Sequence, residues 1–113
     1  MDTQALIKTL YQIFCELNRK EKKYSEVWLS DADFGGLYYS GQYVLNIKAE
    51  HQIESCSDEI SYIIDLLDKK AHNELKLLWR VDVYNANEEI HCQGDLGLIY
   101  NKSIACEDMS VNN

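Results

Sequence analysis

Proline is absent from these 113 residues, and glycine is scarce at five. Missing proline and little glycine exclude a collagen-like chain and remove a common loop marker, so element boundaries read softly. Hydrophobic residues make up 46%, which argues against low-complexity disorder. No apolar run approaches the roughly 18 residues a membrane span needs. The N-terminus lacks a basic segment followed by a continuous apolar stretch, so no secretory leader is expected. Cysteine occurs four times, as Cys15, Cys56, Cys92 and Cys106, with no CxxC pair. That spacing argues against a structural zinc site or a thioredoxin-type centre and leads to an expectation of free thiols in a reducing cytoplasm.

The balance of charge is acidic, with 19 Asp and Glu against 11 Lys and Arg, a formal −8. It is also uneven, since residues 1–23 carry five bases and three acids while the remaining ninety carry six and sixteen. An acidic body repels phosphate backbones, which disfavours nucleic acid as a partner. Such a surface suits a basic partner or a metal, or simply keeps the chain in solution.

Leu6, Ile7, Leu10, Ile13, Phe14 and Leu17 recur at helical spacing, which predicts a helix over about residues 3–20 with Cys15 off its apolar stripe. Tyr24–Ser30 is aromatic and β-branched and reads as a strand, followed by a loop at Asp31–Gly36. Residues 37–39 and 42–48 read as a hairpin about Ser40-Gly41. A second helix over about 56–72 is announced by Ser55 and Asp58, which resemble a capping box, and it buries Ile60, Ile63, Ile64, Leu67 and Ala71. Alternation over Leu75–Tyr84 predicts a strand, a turn follows at 85–88, a strand is expected at Glu89–Gln93, and a last extended piece at Leu96–Tyr100. The expected fold is α+β in two layers. An antiparallel sheet of about five strands carries two helices on one face, in the order α-β-β-β-α-β-β. Residues 1–100 form one domain and 101–113 a polar tail.

Catalytic patterns are missing. His91 and Cys92 are neighbours on a strand and point to opposite faces, so they cannot form a dyad. His51 and Cys56, with Glu50 and Glu54, match no metal-ligand spacing, and Asp31 and Asp33 lack the later ligands of a calcium loop. Gly35-Gly36 has no accompanying phosphate-loop lysine. No catalytic residue, cofactor or metal is therefore assigned, and no enzyme is expected. The chain has eight tyrosines and two phenylalanines. Tyr38, Tyr39 and Tyr43 gather on one hairpin, and Tyr62 lies between Asp58 and Asp65 on the outer face of the second helix. Tyrosine beside carboxylate suits a protein interface, because the ring supplies area and the acids pair with Lys or Arg.

The order of elements resembles that of small acidic immunity proteins of bacterial polymorphic and contact-dependent toxin systems. The helix Ala5–Leu17 leads to the aromatic strand Tyr24–Leu29, and the helix Ile60–Leu67 precedes the Trp-bearing strand Leu75–Tyr84, a turn and a final strand. The resemblance spans about residues 3–100. It implies a cytoplasmic inhibitor that neutralises a toxin effector domain, such as a basic nuclease, by covering its active site. Its partner-binding surface is expected at Asp31, Asp33, Tyr38 and Tyr39 together with Asp58, Tyr62 and Asp65. A phage-encoded inhibitor of a host nuclease would share these features. A self-associating adaptor is the other reading, through the Leu75–Tyr84 strand or the tyrosine-rich edge.

Overall fold

The computed structural model describes residues 3–16, 22–34, 37–87 and 89–96. Helix α1 covers Thr3–Glu16, strands β1 and β2 cover Tyr24–Phe34 and Leu37–Ala49, and helix α2 covers Cys56–Lys70. A 3-10 helix at His72–Leu77 leads into β3, Leu78–Asn85, and β4 follows at His91–Asp95. The four strands form one sheet in the order β1-β2-β3-β4. The expected α+β class with two helices holds. Among the described residues the sheet has four strands, where about five were expected, and it is mixed and not antiparallel. β1–β2 and β3–β4 are antiparallel, but β2 and β3 run parallel. The cause lies in the connection, because α2 and the 3-10 helix carry the chain back along the sheet before β3 begins, and such a crossover delivers a parallel strand.

Three boundaries also differ. Asp31 and Asp33 lie within β1, not in a loop. Phe34 pairs with Leu37, so the reversal falls between them and not at Ser40-Gly41, which lie inside β2. The turn-like Ser40-Gly41 instead marks a register shift. Asp31 pairs with Tyr43 and Asp33 with Tyr38, so four β2 residues face Ala32 alone. Leu75–Leu77, read as strand, are helical, and β3 starts at Leu78. The extended piece expected at Leu96–Tyr100 and the polar tail fall outside the described residues apart from Leu96.

The core follows from the two periodicities. Leu6, Leu10 and Phe14 of α1 and Ile60, Ile63, Ile64 and Leu67 of α2 enter one cluster with Leu45, Ile47, Val81 and Val83 of the sheet. Each such side chain stabilises the fold by roughly 1.5–3 kcal/mol when fully buried. At the start of α2 the Ser55 hydroxyl accepts the Asp58 N–H at 3.3 Å, the capping interaction read from the sequence. Cys92 is buried in the cluster and is joined to Cys56 by a disulfide, which ties the first turn of α2 to β4. The expectation of free thiols is thereby corrected for this pair. Thirty-six positions separate the two in sequence, and only the fold brings them together. Cys15 is a free, exposed thiol, as its helical position required. Among the described residues no helix is long and apolar enough to cross a membrane.

Candidate binding face

Two polar constellations stand out, and they differ in what they leave open. The first surrounds Glu59 on α2. Its carboxylate is 2% exposed and accepts hydrogen bonds from Lys22 Nζ at 2.9 Å, Tyr24 OH at 2.7 Å and His51 Nε2 at 3.0 Å. Burial pushes the Glu59 pKa up, but the hydrogen bonds from Lys22, Tyr24 and His51 outweigh it and hold the group below its ordinary value. Burial, and then the carboxylate beside it, push the Tyr24 phenol far above its ordinary range, so it stays a proton donor. His51 Nδ1 lies 2.8 Å from the Lys23 backbone nitrogen and 3.1 Å from the Lys23 carbonyl oxygen, and Nε2 faces Glu59. Both ring nitrogens are therefore engaged. An open cavity of about 550 Å³ beside this cluster is lined by Lys22, His51, Gln52, Glu54, Ser55, Asp58 and Glu59. The cluster is a lock. It ties residues 22–24 and the segment entering α2 to the helix.

The second constellation lies on the sheet face opposite the core cluster. Strand alternation sends Leu45, Ile47, Val81 and Val83 inward and Asn46, Lys48, Asp82 and Tyr84 outward. The pairing aligns Glu26, Lys48, Tyr84 and His91 in one row, and Trp28, Asn46, Asp82 and Gln93 in the next. Trp28 stacks on Tyr84, with centroids 6.0 Å apart and planes 14° from parallel. Tyr84 stacks in turn on His91 at 4.3 Å and 20°. Three rings from three strands thus form a column. Beneath it, Asp82 is 2% exposed and receives a bidentate contact from Arg80, Nε at 2.7 Å and Nη2 at 3.0 Å. His91 Nε2 lies 3.1 Å from the same carboxylate. The buried acid therefore sets the His91 ring, and His91 supports the column. Asn46 adds hydrogen bonds to the Trp28 carbonyl and the Ser30 hydroxyl, fixing β1 under the indole. Trp28 nonetheless keeps 40% of its surface exposed.

The surface expected from sequence is distributed otherwise. Asp31 and Asp33 are exposed on β1, and Asp33 is paired with Tyr38 of β2. The side chains of Tyr38 and Tyr39 lie outside the described residues. Asp58 and Asp65 are exposed on α2, but Tyr62 is half-buried against the core, with Lys22 Nζ 5.1 Å from its ring centroid. Asp58 adjoins Glu59 at the Tyr24 end of β1, whereas Asp31 lies seven residues along that strand, about 23 Å away. The two halves are separate patches. His72 bonds Asp68 at 2.7 Å, one turn back along α2, and the Ala71 N–H closes the helix on the Leu67 carbonyl. Among the described residues no group of three or more His, Cys, Asp or Glu is placed to hold a metal ion.

Reading the sequence alone missed the column and the Glu59 lock. Tyr84 was legible as an outward position on its strand, opposite Val81 and Val83. Joining it to Trp28, 56 residues earlier, required the parallel register that sets Lys48 beside Tyr84. No family model matches the chain, and no curated protein or solved structure matches it significantly.

Proposed function

We propose that this chain is a non-catalytic, acidic inhibitor that binds a basic protein partner and masks its active site, in the manner of the immunity proteins its element order resembles. The aromatic column Trp28–Tyr84–His91 carries the reading. It is exposed at Trp28, held in place by Asp82 and Asn46, and belongs to a chain of formal charge −8. Fixed aromatic anchors are what binding hot spots are made of, because they bury area without losing much rotamer freedom. The acid excess, with Asp31, Asp33, Asp58 and Asp65 exposed around the body, speeds encounter with a basic partner, and the anchors slow release.

A toxin effector domain with a cleft built for phosphate is the partner of this kind. Capture on the tagged chain from its native host, with a salt-step elution, tests the reading. A stoichiometric basic protein released by salt is expected, and recovery of the chain alone overturns it. Self-association has one observation in its favour, since β1 and β4 are the edge strands of the described sheet. A monomer by size exclusion at micromolar concentration removes that reading. The Cys56–Cys92 bond suits an oxidising compartment, and a cytoplasmic inhibitor would carry this pair reduced. A thiol count on the native protein separates the two.

A further inference from the structure

We propose that the group this face is built to seat is an arginine side chain of the partner, stacked on Trp28 and paired with Glu26. The inference rests on the basic-partner reading and specifies its chemistry. Glu26 and Trp28 are two apart on β1 and point to the same side, their Cα atoms about 7 Å apart. Tyr84 covers part of the indole and holds it nearly parallel to its own ring, so the indole is presented in one orientation. A planar cation stacks on such a ring, and guanidinium does so better than ammonium because it is flat and more weakly hydrated.

Glu26 supplies the second half. It is 60% exposed, and its ion pair among the described residues is a long contact with Lys48 Nζ at 3.5 Å. A carboxylate has about four acceptor positions, enough for the N–H fork of a guanidinium. Two cations share this face, Lys48 with its 3.5 Å contact to Glu26 and Arg80 beside Asp82, and an incoming guanidinium takes the place of the Lys48 contact. Arg80 is turned onto Asp82, and that pair with His91 is locally satisfied. What faces outward beside Trp28 is thus an aromatic plane and a carboxylate held only by the long Lys48 contact, which together match the face and the edge of one arginine. Lysine can use the carboxylate but gains little from the plane.

The test uses the intact protein and two short peptides matched in length and charge, one bearing arginine and the other lysine, followed by the indole N–H signals in NMR. The chain has two tryptophans, and Trp28→Phe assigns their signals. The arginine peptide is expected to shift the Trp28 signal and to bind about threefold to fivefold more tightly than the lysine peptide. Trp28→Ala should abolish that preference, and Glu26→Gln, which leaves the ring column intact, should weaken arginine binding. Equal binding of the two peptides overturns the arginine assignment and leaves the basic-partner reading standing. An unmoved Trp28 signal at millimolar arginine peptide overturns the assignment as well. If capture from the host also returns no basic protein, the wider reading fails with it.

Discussion

Replacing Glu59 by glutamine keeps the shape of a buried side chain and removes its charge. In the native protein this carboxylate receives three donors, from Lys22, Tyr24 and His51. Glutamine presents one carbonyl oxygen and an NH2 group, so at least one donor meets a donor. Hydrogen bonds to a charged acceptor contribute about 1.5–3 kcal/mol each. Lys22 is partly exposed and can return to water, so its share is small. His51 and Tyr24 are held inside and cannot. A loss of about 2–3 kcal/mol follows for Glu59→Gln, roughly 10 °C in Tm for a domain of this size. Glu59→Ala should cost more, about 3–5 kcal/mol, because the buried donors then lose their acceptor outright. Urea melts by circular dichroism measure both. The pH dependence supplies a second readout with a fixed sign. The folded Glu59 pKa lies below the ordinary value of 4.5, so its contribution is complete above that value and is lost as pH falls through the folded pKa. The gap between wild type and Glu59→Gln should therefore narrow as the solution is acidified below about pH 4.5. A variant within about 0.5 kcal/mol of wild type at pH 7, or a gap that does not change with pH, refutes the lock.

Other perturbations test the frame around it. Reducing Cys56–Cys92, or replacing both by serine, reopens a loop of 36 positions and should lower stability by about 2–4 kcal/mol, read as a lower urea midpoint in dithiothreitol. Gly94→Ala places a methyl group against Ile60 of α2, which cannot move aside without shifting the helix, and should cost about 1–3 kcal/mol. Combining it with Ile60→Ala should recover part of that loss, and simple additivity would contradict the contact. Ser55→Ala removes the N-cap of α2 and should cost about 1 kcal/mol by the same melts.

How much of this was legible depends on whether a feature is local. Both helices and their buried faces were readable, because Leu6, Leu10 and Phe14, or Ile60, Ile63, Ile64 and Leu67, declare a face by spacing alone. So was the opposition of His91 and Cys92, which strand geometry forces: Cys92 is buried and His91 partly exposed. The parallel β2–β3 pair was hidden, since hydrophobic alternation is the same in parallel and antiparallel strands. With it went the rows that bring Trp28 to Tyr84, and the meeting of Cys56 with Cys92. Glu59 illustrates a different limit. Its position in the first turn of a helix reads equally well as a solvated partner of the helix dipole, and only the arrival of Tyr24 and His51 from distant segments turns it into a buried acceptor. Ser40-Gly41 carried a real signal of broken pairing, which the fold spends on an irregular register and not on a reversal.

The sheet face and the acidic face of α2 make opposite predictions for one experiment. Association and dissociation rates are measured between the captured basic partner and three forms of the chain: wild type, Trp28→Ala, and the double variant Asp58→Lys, Asp65→Lys. The account predicts that Trp28→Ala raises the dissociation rate by about tenfold or more, while the double variant mainly slows association and does so less at high salt. Unchanged dissociation from Trp28→Ala, with binding abolished by the α2 variant, would move the interface to the helix and contradict the account.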